Sequence, residues 1–243
     1  MLHVRSASGN DPHRRPEHSF LPPLPALIPR LFGIVALSVA FVAMTVAIPA
    51  GVFGALDLQV AEATHSIWRE SLHGLFQLIA ELGGFEVTTV LMIGLLFYLW
   101  RGGFGADALV VAAFVGAEVL EILYKDFLYH PGPPRTLSHL DGPSITSMLE
   151  KTAGIGNSFP SGHMVRAVLV YGLLAFVVRR LAVSRSARLV AIPAATAIIV
   201  LLAFDRLYLD VHWESDVIGG VLLGGIALLA ATVWLDRPRK ADN

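Results

Sequence analysis

Four residues at the start of an apolar stretch, Pro160-Ser161-Gly162-His163, combine a hydroxyl, a bare backbone and an imidazole. A helix that begins there presents unpaired N–H groups and the positive end of its dipole, which together attract an anion. Gly162 would let a phosphate approach the backbone closely, and the Ser161 hydroxyl would donate a hydrogen bond. The structural alternative is a helix cap beside a solvated histidine.

A second stretch, 205–216, places His212 four residues before Asp216. On a helix the two side chains share a face, so the carboxylate can hold one imidazole nitrogen protonated and leave the other as a nucleophile. His163 would protonate the leaving oxygen. Two histidines with different roles predict phosphoryl transfer through a phosphohistidine, with no metal or other cofactor. A metal site is a poor alternative because no further ligand lies nearby at suitable spacing, whereas a structural surface pair stays open.

Charged residues near these stretches suit the same chemistry. Lys125 and Arg206 would form charge-assisted hydrogen bonds to phosphoryl oxygens. Glu121 lies four residues before Lys125, the spacing of a helical ion pair, and we predict that it positions this lysine. Carboxylates inside an apolar run are costly in a membrane and usually face the interior of a helix bundle. Each of these side chains could instead extend along the bilayer edge.

The composition indicates the elements that must position these residues. Of 243 residues, 55% are hydrophobic and 15% are charged, whereas about 25% are charged in an ordinary soluble domain. Several apolar runs approach the length of about 20 residues that crosses a bilayer as a helix. The net charge of −1 excludes a strongly basic nucleic-acid-binding surface, and the absence of cysteine excludes disulfides and thiol catalysis.

These runs predict an all-α fold, a six-span transmembrane helical bundle. The segment after span one mixes charged and apolar residues at helical spacing, which is typical of an amphipathic helix at the membrane interface. We predict a flexible cytoplasmic tail at residues 1–27, a transmembrane domain at 28–236 and a short cytoplasmic tail at 237–243. The predicted spans are 31–53, 85–100, 104–123, 164–178, 189–204 and 217–235.

The basic residues predict the orientation of these spans, because cytoplasmic loops carry an excess of Lys and Arg. With the N-terminus and C-terminus both in the cytoplasm, twelve of the 18 basic residues lie inside. The loop 125–160 and the link 205–215 then face outward, so the three polar stretches meet on one face. The outward residues are Arg69, Lys125, Arg135, Lys151, Arg166 and Arg206.

The stretches at 160–163 and 206–216 resemble the second and third motifs of the type 2 phosphatidic acid phosphatase superfamily. The three family motifs have the patterns KxxxxxxRP, PSGH and SRxxxxxHxxxD. The resemblance covers roughly residues 31–235 and implies a metal-independent phosphatase or phosphotransferase built as a helical bundle. It implies His212 as nucleophile, Asp216 as its orienting carboxylate and His163 as general acid. The phosphate ligands that it implies are Lys125, Ser161, Gly162 and Arg206.

The chain departs from the family pattern at two positions. Gly132 stands before Pro133 where the first motif has its arginine, and Asp205 replaces the serine of the third motif. The loss of a phosphate-binding cation is the more serious change. We predict that Arg135, three residues later, or Arg166, one helical turn after His163, replaces it. A homologue without activity is the alternative, although both histidines and the aspartate are intact.

The predicted partner is therefore a lipid phosphate in a bilayer, at the outer face of a bacterial inner membrane. Undecaprenyl diphosphate, phosphatidate and phosphatidylglycerophosphate all keep their tails in lipid while the phosphate reaches a polar loop. A lipid phosphotransferase or a lipid A phosphatase of the same superfamily is the alternative enzyme. A transporter or a non-catalytic membrane protein is the alternative class, but transporter polar residues cluster near mid-membrane, and here most lie at one end of the helices.

Overall fold

The computed structural model describes residues 24–134 and 156–237, and the regular structure in these ranges is helical. The prediction of an all-α fold is confirmed for them. A 3₁₀ helix, Gly105–Val110, precedes the fifth α-helix. The α-helices are α1 (Leu24–Ala47), α2 (Gly54–Ile67), α3 (Glu70–Glu81), α4 (Phe85–Arg101), α5 (Val111–Phe127), α6 (Gly162–Leu181), α7 (Arg185–Tyr208) and α8 (Glu214–Leu235).

Helix α6 forms the centre of the bundle. Residues 164–171 are buried without interruption, and α6 packs against α7 on one side and α8 on another, with α4 and α5 beside it. Helix α1 covers the far side of α8. Glycines allow this close packing: a Cβ at Gly220 would lie 2.5 Å from the Ser161 carbonyl oxygen, and one at Gly224 would lie 2.7 Å from that of Val165. Small residues let membrane helices approach at their backbones in this way.

Four helical segments in the described ranges are long and apolar enough to cross a membrane. They are Leu27–Ala47, Glu70–Arg101, Arg185–Tyr208 and Glu214–Leu235. The predicted spans 104–123 and 164–178 correspond to the 3₁₀ helix with α5 and to α6, which fall outside this set. The physical reason differs between them, because α5 has only 17 residues, whereas α6 carries Arg166, Arg179 and Arg180 in an otherwise apolar helix. Six membrane crossings therefore stay a prediction.

The predicted interfacial helix is divided into α2 and α3 by a break at Trp68 and Arg69. Helix α4 begins at Phe85, where span two was predicted to begin, but α3 joins it in one apolar segment across a turn at 82–84. An interfacial position for this region is likewise still a prediction. Helix α1 begins at Leu24, four residues before the predicted domain start.

The two ends of the bundle carry different chemistry. At one end the α6 start meets the α8 start, where the Ser161 N–H donates to the Asp216 carbonyl oxygen at 3.0 Å. At the other end, the guanidinium groups of Arg30 and Arg180 both contact Asp236, just beyond α8. The first end holds the residues that the sequence singled out for chemistry.

Candidate active site

His212 and Asp216 form an oriented pair at the start of α8. His212 Nδ1 lies 3.2 Å from Asp216 Oδ2, and the Trp213 N–H donates to the same oxygen at 2.9 Å. Asp216 is fully buried, while 11% of the His212 side chain is exposed. The carboxylate therefore favours the tautomer with its proton on Nδ1. His212 Nε2 has no hydrogen-bond partner in the described part of the chain, so its lone pair is available for attack.

The α6 start leaves the Ser161 hydroxyl available for a ligand. Ser161 is fully buried and is the N-cap of α6, yet its side chain accepts no hydrogen bond from the helix. Among the described residues, nothing hydrogen-bonds to Ser161 Oγ. A buried hydroxyl without a partner is costly, so this geometry favours a bound polar group over a simple cap.

His163 is half-buried one residue after the start of α6, and no described residue hydrogen-bonds to its ring. Its carbon atoms Cδ2 and Cβ lie near Gly83, so the α3–α4 turn covers one side of the imidazole. Three cations and the second histidine are close enough for their charges to act on it. They are Arg206, Arg166, His212 and Lys125. The predicted acid, nucleophile and phosphate ligands therefore share one electrostatic environment.

Glu121 lies between Lys125, a predicted phosphate ligand, and the glycine of the α6 start. Lys125 Nζ lies 2.9 Å from Glu121 Oε1, so the ion pair expected from their spacing is present. A Cβ at Gly162 would lie only 1.9 Å from the same carboxylate oxygen. Gly162 is therefore needed by the protein itself, because any side chain there would displace Glu121. This requirement is additional to the predicted approach of a phosphate to the backbone.

We expect Gly162→Ala to lower kcat/KM by about a hundredfold, because displacing Glu121 moves Lys125 away from the phosphate. Steady-state phosphate release from the purified protein measures this effect. Gly116→Ala in α5 is the matched control, since a Cβ at that glycine meets no atom within 4 Å. Equal activity of the two variants would contradict the proposed coupling.

Arg166 is buried in α6 and contacts two of the carboxylates of α5. Its Nη1 is 3.1 Å from Glu118 Oε2 and 3.3 Å from Glu121 Oε2, and its Nε donates to the Gly83 carbonyl oxygen at 3.2 Å. Only 2% of the Arg166 side chain is exposed. Through these contacts Arg166 and Glu121 belong to one buried network of charged side chains. A direct contact with phosphate stays a prediction for this residue.

Arg206 is fully buried near the end of α7, and its Nε donates to Asp205 Oδ2 at 2.9 Å. Asp205 is the residue that replaces the family serine, so the substitution places a carboxylate directly on a predicted phosphate ligand. A serine could not neutralise the guanidinium in this way. The contact shows that this departure changes the local charge, which the sequence pattern alone did not indicate.

His130, which the motif spacing did not single out, contacts the other oxygen of Asp216. His130 Nε2 lies 3.3 Å from Asp216 Oδ1 and 3.3 Å from Ser215 Oγ. Ser215 is held in turn by Asp57 of α2, which accepts from its N–H and from its hydroxyl, each at 2.9 Å. Burial raises the pKa of the Asp57 carboxyl, and the two hydrogen bonds from Ser215 oppose that rise. His130 lies five residues after Lys125 inside the first motif, which was the available signal.

We expect His130→Ala to lower kcat by about 10- to 100-fold, because Asp216 would lose a contact that fixes its carboxylate. KM should change little, since His130 contacts Asp216 and Ser215 and is not a predicted phosphate ligand. His130→Gln keeps a side-chain N–H donor and should recover part of the loss. A fall in kcat that glutamine does not relieve at all would argue against this contact with Asp216 as the cause.

Hydrogen bonds connect the loop around Gly132 to the same site. The Trp213 Nε1–H donates to the Pro131 carbonyl oxygen at 2.9 Å, and Asn157 Nδ2 donates to the Lys125 carbonyl oxygen at 2.8 Å. A Cβ at Gly132 would touch Ser158 at an ordinary 3.4 Å. The first predicted replacement for the missing arginine, Arg135, lies outside the described residues. The residues that the structure describes contain no group of three or more possible metal ligands.

Comparison with known proteins places this site in a family context. The sequence profile of the PAP2 superfamily matches residues 104–240. A segment of 69 residues is 45% identical to phosphatidylglycerophosphatase B of Bacillus subtilis (strain 168), covering 28% of this chain and 34% of that protein. The sequence match therefore spans about a third of that relative.

Two solved structures are similar over most of their length. The crystal structure of a transmembrane PAP2-type phosphatidylglycerolphosphate phosphatase from Bacillus subtilis aligns with a TM-score of 0.66 and 26% identity, covering 83% of this chain and 94% of that chain. Aquifex aeolicus LpxE aligns with a TM-score of 0.54 and 23% identity, covering 73% of this chain and 94% of that chain. The second likeness bears on the fold alone.

Proposed function

Because this chain belongs to the PAP2 superfamily, we propose that it is a multi-pass membrane enzyme that hydrolyses a lipid phosphate or diphosphate. The observation that carries this proposal is the oriented His212–Asp216 pair beside the Ser161 hydroxyl, which has no hydrogen-bond partner among the described residues. A nucleophile fixed by a buried carboxylate, next to a helix start that can bind an anion, suits phosphoryl transfer. The likeness to a PAP2-type phosphatase structure supports the same assignment.

In the proposed mechanism the lone pair of His212 Nε2 attacks phosphorus and the bond between phosphorus and the leaving oxygen breaks. His163 gives its proton to that oxygen, which departs on the lipid. His163, now neutral, then takes a proton from water as the water oxygen bonds to phosphorus and the phosphorus–nitrogen bond breaks. Asp216 stabilises the charge on His212 in both steps. Lys125, Arg206 and the α6 start bind the phosphoryl oxygens.

Phosphatidylglycerophosphate is the first substrate to test. A curated relative is a phosphatidylglycerophosphatase, and a solved structure with the same fold is a phosphatidylglycerolphosphate phosphatase. The test should also include undecaprenyl diphosphate, phosphatidate and lipid A, because the phosphate site itself does not select the lipid tail. A phosphotransferase would use the same first step and pass the phosphoryl group from His212 to a bound acceptor other than water.

We also propose six crossings of a bacterial inner membrane, with both termini in the cytoplasm and the site at the outer face. The cluster of arginines at the end of the bundle away from His212 supports this orientation, since such residues accumulate on the cytoplasmic side. A site at the outer boundary would receive a lipid phosphate while its tails stay in the bilayer.

The decisive experiment offers the purified protein a panel of lipid phosphates and diphosphates in detergent, with chelator present, and measures phosphate release. Release from at least one lipid is expected, together with acid-labile phosphate on the protein after rapid quenching. Release only when an acceptor alcohol is added would support the phosphotransferase. Loss of activity with chelator would contradict the metal-independent mechanism.

The cation that replaces the first-motif arginine is tested separately. We expect Arg135→Ala to raise KM by about tenfold with a smaller change in kcat, as expected when one charge-assisted contact to substrate is lost. Arg166→Lys keeps the charge while altering the geometry of the buried network, so it serves as the comparison. If alanine at both positions left phosphate release intact, neither arginine would replace the missing one.

A further inference from the structure

A groove opens on the bundle at the end away from His212. It has a volume of about 610 Å³ and runs along α6 from Gly172 to Arg180, a rise of about 12 Å. Helix α6 forms its floor, with α7 on one side and α8 with α1 on the other; α6 packs closely against both neighbours, while α7 and α8 touch each other little. Apolar side chains line the walls, among them Ile192, Ile199 and Leu228.

The mouth of this groove carries an excess of positive charge. Arg30, Arg179 and Arg180 line it, together with one carboxylate, Asp236. Arg30 and Arg180 share that carboxylate, so one negative charge is divided between two guanidinium groups. Arg179 is exposed and has no ion-pair partner among the residues described. The net charge of this lining is therefore +2.

Arg30 is fixed at the mouth by the protein. Its Nη1 donates to the Thr232 carbonyl oxygen at 3.3 Å, and its guanidinium lies 5.8 Å from the centre of the Phe176 ring. About 22% of its side chain stays exposed. A guanidinium that is held in place and still reaches solvent can form bidentate hydrogen bonds with a phosphate at little entropic cost.

We propose that this groove binds an anionic phospholipid, with the headgroup phosphate on Arg30, Arg179 and Arg180 and one acyl chain along α6. Charge complementarity selects a lipid with net negative charge, and the apolar walls match an acyl chain. The site is distinct from the proposed active site, because α6 separates the two along its length. It lies in the membrane leaflet opposite to that of the substrate phosphate.

The binding test uses the purified full chain in detergent and native mass spectrometry. Phosphatidylglycerol should be retained about tenfold more tightly than phosphatidylcholine with the same acyl chains, the difference expected for one charge-assisted contact. The Arg179→Gln and Arg180→Gln double variant should lose this preference. Asp236→Asn should strengthen it, because the competing carboxylate disappears. Arg101→Gln, an exposed arginine at the end of α4, is the matched control and should leave it unchanged.

A second measurement places the lipid in the groove itself. The chain contains no cysteine, so Ile192→Cys gives a unique thiol at the groove wall for a fluorophore. In vesicles, brominated phosphatidylglycerol should quench this fluorophore more than brominated phosphatidylcholine does, and the arginine double variant should remove the difference. Lys125→Ala should keep it, which separates this site from the proposed active site.

Several results would overturn the proposal. Equal retention of the two lipids, or equal loss of the preference in Arg101→Gln, would show that the groove does not select the charge. Absence of quenching by either lipid would show that a terminal segment or a second copy of the chain fills the groove. Displacement of the lipid by millimolar inorganic phosphate would show a site for the phosphate group alone.

Discussion

Replacing His212 with alanine is expected to reduce phosphate release by at least about a thousandfold, the scale of losing a catalytic nucleophile. The reason is geometric, since His212 is oriented through Nδ1 by buried Asp216 and presents Nε2 outward. Phosphate release and acid-labile phosphate on the quenched protein should disappear together. Thermal unfolding should change far less than activity, because the hydrogen bond that the His212 ring loses within the described residues is the one with Asp216.

Two further variants separate nucleophilic catalysis from loss of structure. His65→Ala removes a histidine that is half exposed and lies 3.5 Å from Asp210, so it is the matched control and should keep full activity. Asp216→Asn should retain the fold and lose most activity, because the amide favours the wrong imidazole tautomer. If His212→Ala kept a phosphorylated intermediate, another residue would be the nucleophile.

Replacing Arg166 with alanine is expected to destabilise the protein by about 3–5 kcal/mol, which is typical when one member of a buried charged group is removed. Glu118 and Glu121 would then face the bundle interior without the guanidinium that now lies within 3.3 Å of both. The thermal unfolding temperature in detergent measures this loss. Arg179→Ala, on the exposed face of the same helix, is the matched control and should unfold near the wild-type temperature.

The same network makes a testable double substitution. Adding Glu118→Gln to Arg166→Ala should recover part of the lost stability, because one uncompensated carboxylate is removed. Activity should recover less, since Lys125 still depends on Glu121 for its position. A stable Arg166→Ala protein with poor substrate binding would instead favour direct contact between Arg166 and the phosphate.

Motif spacing allowed two contacts at the proposed catalytic end to be predicted. Glu121 does contact Lys125, because residues four apart on a helix share a face. His212 and Asp216 do form a hydrogen-bonded pair, but His212 lies before the N-cap of α8 and not on its first turn, so the expected shared helical face is not the reason. Contacts between distant parts of the chain could not be read in this way. His130 and Ser215 are 85 residues apart in the chain, and Asp57 and Ser215 are 158 apart. No local period connects such residues.

The membrane spans were predicted less well than the motifs. Hydropathy identifies helices that present apolar surface to lipid, and α7 and α8 fulfil that condition. Helix α6 packs against several other helices and carries buried Arg166. Its hydropathy is therefore too low to identify it as a membrane span, although it lies at the centre of the bundle. Helices α2 and α3 also pack against α7, contacts that local composition does not reveal.

The sequence by itself determined the all-α class, the membrane character, the pairing of His212 with Asp216, and the helix start at 160–163. These properties follow from composition and from the spacing of the motifs. Only the tertiary structure decided that Glu121 occupies the space left by Gly162, that His130 contacts Asp216, and that Asp57 binds Ser215. Each of these depends on how the helices and the loop that bear the residues meet, which is set by side-chain packing across the whole bundle.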